Sequence, residues 1–180
     1  LENGDAEGID ISFKYDFRRF YLWTVYSCGF IHRYDGRDEY VPHYDRRHNV
    51  NIVSSYTFGE NFNWGLDLRW NFGSGFPFTL NQGYYELIAF NDGVNTDYTT
   101  VNGDLSVIYD EINKGKLPTY HRLDISVKRK FELGRNSTLE AIASITNVYN
   151  RKNVFYVDRI TQERVDQLPL MPSIGLNITF

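Results

Sequence analysis

Phe62-Asn63-Trp64-Gly65-Leu66-Asp67-Leu68-Arg69-Trp70-Asn71-Phe72 alternates without a break. Every even position is aromatic or aliphatic. Every odd one is Asn, Gly, Asp or Arg. A period of two puts successive side chains on opposite faces of an extended chain, whereas the same residues on a helix would scatter around the axis. The segment is a strand with one apolar and one polar face.

The same period recurs on both sides of this segment. In 9–17, Ile9, Ile11, Phe13, Tyr15 and Phe17 alternate with Asp10, Ser12, Lys14 and Asp16. Further strands are expected over 20–31, 47–58, 120–131, 138–148 and 173–180, making seven with 62–72. Most run 9 to 12 residues, the length that crosses a bilayer when tilted by about 45°. Strands of soluble domains commonly run about 5–6 residues.

The connections sort into two kinds. Residues 18–19, 59–61 and 132–137 are short; residues 32–46, 73–119 and 150–171 are long and carry Gly, Pro, Asn and Asp breakers. A small hairpin is expected inside the last, pairing 154–158 with 164–167. Short and long alternate strictly, so all short turns fall on one edge and all long ones on the other. Aromatics mark both edges: Phe17, Phe20, Phe58, Phe62, Phe131 and Phe180 by the turns, and Trp70, Phe72, Tyr120 and Tyr149 by the long connections. Aromatic girdles and this loop asymmetry belong to outer-membrane barrels.

Composition agrees. Aromatics make up 17% of the 180 residues, mean hydropathy is -0.45, and net charge is -4 with the signs interspersed. No apolar run approaches the roughly 18 residues of a membrane helix, and no basic surface for nucleic acid is indicated. Cys28 is single, so no internal disulfide is available. The expectation is an all-β, antiparallel up-and-down transmembrane segment occupying 1–180, facing outer-membrane lipid. A soluble β-sandwich that binds carbohydrate, and a small complete barrel serving as an adhesin or structural protein, are the alternatives.

On the polar parity, Asp67, Arg69, Arg122, Asp124, Lys128 and Lys130 are expected to face a lumen and pair across strands. Arg129 dissents, standing on the apolar parity two residues from Phe131. The loop aromatics Phe76, Phe78, Tyr84, Tyr85, Phe90, Tyr98 and Tyr109 are the candidates for contact with a solute. His43, Asp45 and His48 invite a metal reading, but they span a loop and a strand start without further ligands at suitable spacing, so no metal or cofactor is expected. Catalysis is not expected either: Ser126 and His121 share a strand at opposite parity, and no nucleophile elbow occurs.

Several stretches are familiar in order: Gly8-Ile9-Asp10, Val41-Pro42-His43 with Arg47-His48-Asn49, Phe72-Gly73-Ser74-Gly75-Phe76-Pro77, Tyr120-His121-Arg122-Leu123-Asp124, Ile145-Thr146-Asn147-Val148-Tyr149-Asn150, and the terminal Phe180. Together they resemble the C-terminal barrel segment of TonB-dependent outer-membrane receptors of the Bacteroidetes type. The resemblance implies uptake of a solute through a plugged barrel of 22 strands, with TonB and a plug domain as partners. It also implies that Phe180 signals to the barrel-assembly machinery. Seven strands would then be the last third of the barrel, without its plug, and the isolated piece is expected to self-associate through open edges.

Overall fold

The computed structural model describes residues 3–87, 104–134 and 137–180. Seven long strands lie side by side in chain order, all antiparallel: β1 Asn3–Phe17, β2 Phe20–Tyr34, β3 His48–Phe58, β4 Trp64–Gly73, β5 Tyr120–Glu132, β6 Thr138–Thr146 and β7 Met171–Thr179. A two-residue strand, Glu39–Tyr40, pairs with the far end of β2. These eight strands form one open sheet whose outer edges are β1 and β7.

Alternation located these strands, and departures from it explain the boundaries that differ. Phe62 sits at φ 53 inside the turn after β3, so β4 begins at Trp64 rather than at Phe62. Asn147 sits at φ 55 and ends β6 at Thr146, short of the expected Val148. The long segment 73–119 is also less irregular than its breakers imply. Asn81–Leu87 pairs with Asp104–Tyr109, and Pro77–Phe78 with Gly115–Lys116. The register shift between Asn81 and Gly83 breaks the period that would have shown the first of these pairs. The expected small hairpin is present as Val154–Val157 with Arg164–Asp166.

The register carries a regular stagger. One row of paired residues runs Phe17, Phe20, Tyr56, Leu66, Val127, Ala143, Ile174 across all seven strands. Phe17 ends β1 on that row. Phe58 lies two residues beyond Tyr56, Phe131 four beyond Val127, and Phe180 six beyond Ile174. The turn edge thus steps down by about one residue per strand. With a rise of about 3.3 Å per residue and strands about 4.8 Å apart, the strands lean by about 35° from the normal to that edge.

Packing follows from the large sheet having no second layer against it among the described residues. Among the described residues no Leu, Ile, Val, Phe, Tyr or Trp is buried. Ile9 is 68% exposed, Ile174 87% and Phe180 94%. The accessible surface is 13409 Å2, against about 9,000 Å2 for a compact 21.1 kDa monomer. Each Leu, Ile or Phe left facing water forgoes about 1.5–3 kcal/mol. The apolar face is a surface that needs a cover.

Candidate functional site

The six charged residues of the polar parity do lie on one face of the sheet, in adjacent rows. Arg69 pairs with Asp124, Asp67 with Ser126, Asn71 with Arg122 and Gly65 with Lys128. Lys128 Nζ reaches the Asp67 carboxylate at 3.0 Å. Gly65 makes this possible, since a Cβ there would lie 2.5 Å from Lys128 Cε. Ser55 Oγ donates to the same carboxylate from β3, and Asn71 donates to Asn51. Arg122 instead binds Asp124 two residues along its own strand, at 2.9 Å. The expected pairing is thus cross-strand for Lys128 and within one strand for Arg122.

Asp124 has a second task. Its Oδ1 accepts the backbone N–H of Asn147 at 2.9 Å. Asn147 is fully buried, with 0% exposure. Its amide donates to the carbonyls of Arg151 and Leu168, both at 3.0 Å, and its carbonyl accepts Arg151 N–H at 3.0 Å. Asn153, 4% exposed, donates to His121 O and accepts His121 N–H. These two asparagines tie the 150–170 connection to the long-connection end of β5. Asn tolerates the left-handed backbone that a branched residue would not.

The apolar face is rimmed on the same side by polar-headed rings. Tyr26 and His48 are hydrogen-bonded at 2.9 Å, and His121 Nδ1 and Tyr149 Oη at 2.7 Å. At the turn edge, Arg129 stays on the apolar face and stacks on Trp64 at 4.8 Å and Phe131 at 4.6 Å. Its dissent from the alternation is accommodated by aromatic faces.

The metal trio does not converge. His48 turns to Tyr26, Asp45 is buried beside Arg47 at 3.5 Å, and His43 meets Tyr44 edge-on. No group of three His, Cys, Asp or Glu side chains comes together among the described residues.

The loop aromatics divide. Tyr84 Oη donates to Arg159 O at 3.0 Å and accepts from Gln162 at 2.8 Å. Tyr109 lies under Arg159 at 5.2 Å. Both tie one loop hairpin to the other, and Phe78 lines a cavity of about 250 Å3 between the loops. Tyr85 stays exposed. Phe90 and Tyr98 lie outside the described residues.

Phe76 belongs to a feature that sequence reading missed. The Arg46 guanidinium stands 4.2 Å from the Phe76 ring and 5.4 Å from the Tyr120 ring. It lies over Gly73, on the polar face. Burial holds its pKa below the ordinary guanidinium value. The polar run around Asp45-Arg46-Arg47 looks like solvated loop in sequence, and only the returning chain brings Arg46 onto the sheet.

Comparison of the chain with family models, curated proteins and solved structures finds no match.

Proposed function

We propose that the chain forms part of the wall of an outer-membrane β-barrel that takes up a solute, energised through TonB as the sequence resemblance implies. The observation that carries this reading is the apolar face, continuous across seven strands and covered by none of the described residues. Lipid is the cover that suits a face of this kind. Each strand spans at least nine residues, enough to cross the hydrocarbon core. The stagger supports it too: a lean of about 35° lies in the roughly 35–45° range of membrane barrels. The polar face would then line the lumen, with the long connections outside the cell and the turns in the periplasm.

A soluble sandwich needs a second layer on the apolar face, and the described residues supply none. A complete seven-stranded barrel meets a different obstacle. In an odd antiparallel sheet both edges run the same way, so β1 and β7 would have to pair in parallel. The reading is therefore a wall segment, with further strands beyond both edges.

The transport role is tested by following solutes in spent medium. A strain deleted for the gene and a strain deleted for TonB are expected to leave the same solute unconsumed. A gene deletion that changes no solute would count against uptake.

A further inference from the structure

Arg46 differs from three other arginines of the chain. Arg47 faces Asp45 at 3.5 Å, Arg122 faces Asp124 at 2.9 Å and Arg164 faces Asp166 at 2.5 Å. The Arg46 Nε is buried without a hydrogen-bond partner, as are those of Arg47 and Arg151. Arg47, however, has Asp45 and Arg151 donates to Thr119 O, whereas Arg46 has no carboxylate or hydrogen-bond partner at all among the described residues. Two rings and a glycine hold it: a Cβ on Gly73 would lie 2.6 Å from Cζ. A half-buried cation without a counter-charge is costly. A planar guanidinium is also pre-organised to take a carboxylate through two parallel bonds.

A cavity of about 200 Å3 opens beside it, lined by Arg46, Ser74, Phe76, Leu117, Tyr120 and Phe155 among others. Its walls mix apolar and polar surface in nearly equal parts, with one cation. Ser74 Oγ accepts the His48 N–H at 3.1 Å and keeps its own proton to donate. Pockets for drug-sized molecules run about 300–1,000 Å3, so this one seats an end group while the rest of a solute extends beyond it.

We propose that this cradle, on the polar face beside the long connections, receives the carboxylate of an amphipathic organic acid. The inference deepens the transport reading and rests on it for what the polar face encloses. The carboxylate would lie against Arg46 and Ser74, and the adjoining apolar part against Phe76, Leu117 and Phe155.

The test uses the intact protein extracted from its membrane in detergent, with 4-fluorobenzoate as probe and neutral 4-fluorobenzamide as its isostere, both read by fluorine NMR linewidth. Saturable broadening of the acid is expected, with at least about tenfold weaker binding of the amide. Arg46→Gln is expected to abolish the difference, and Arg46→Lys to keep part of it. Heat-modifiable gel migration reports whether each variant stays folded. Equal binding of acid and amide to the unaltered protein overturns the proposal without any variant, as does acid binding that survives Arg46→Gln. Heat-modifiable, membrane-extracted protein that ignores the acid sinks this inference alone. Acid binding by a protein that never enters the membrane sinks the barrel reading and leaves the anion cradle standing.

Discussion

Lys128 Nζ stands 3.0 Å from the Asp67 carboxylate across the β4–β5 ladder, while their neighbours Leu66 and Val127 pair on the opposite face. One ladder therefore holds an ion pair on one side and an apolar pair on the other. Both charges are about one-third exposed, so the pair is worth no more than about 1 kcal/mol. Asp67→Asn is expected to lower stability by about that much or less, measured by urea unfolding in micelles. A loss several times larger would mean that the polar face is drier than the sheet implies.

The opposite face should respond far more strongly. Leu68→Arg, mid-strand on the apolar face, is expected to cost about 2–4 kcal/mol, the penalty for a cation near the bilayer midplane. Arg129 already occupies the turn edge of that face, where the cost is about 0–1 kcal/mol. Arg129→Leu should accordingly change stability little. Reversible folding into phospholipid bilayers measures both, and equal effects at the two positions would contradict the assigned depths.

Asn147 provides a third test. Asn147→Gly keeps the backbone at φ 55 accessible but removes a side chain that makes three hydrogen bonds. Leaving Leu168 O and the Arg151 backbone groups unsatisfied is expected to cost about 2–4 kcal/mol. Protease cleavage in the 150–170 connection should rise before the strands unfold, because the anchored element is the loop.

Acid should loosen the small hairpin. Asp158 accepts the N–H groups of Thr161 and Ile160, each at 2.9 Å, and these bonds hold its pKa below the ordinary carboxylate value. A depressed folded pKa stabilises above the unfolded value of about 3.9, and that contribution is lost as pH falls through the folded pKa. Amide exchange at Ile160 and Thr161, corrected for intrinsic rates, is expected to lose protection below about pH 4. In Asp158→Ala, protection should be low and independent of pH.

Alternation made β1 through β7 legible because each strand has one apolar and one polar face, and a period of two survives a single exception such as Arg129. It failed where the backbone turns left-handed, at Phe62 and Asn147, since parity says nothing about φ. It also failed over 81–87 and 104–109, where pairing is loop against loop and no shared face imposes a pattern. The charged face could be read residue by residue. Arg46 could not, because its place depends on a glycine 27 positions away that leaves room for a guanidinium. The nearest sequence signal was Gly73-Ser74-Gly75-Phe76, small residues beside a ring, which fits a turn equally well.

If one face of this sheet meets lipid and the other water, side chains of opposite parity meet different solvents. Nitroxide labels placed singly at 64 through 72, in the protein reconstituted into bilayers, test it most directly through collision with oxygen and with a water-soluble nickel chelate. A period of two in opposite phase is expected, with even positions favouring oxygen and odd positions favouring nickel. Even positions shielded from both reagents would instead mean that the apolar face is packed against protein, and the membrane-wall reading would be contradicted.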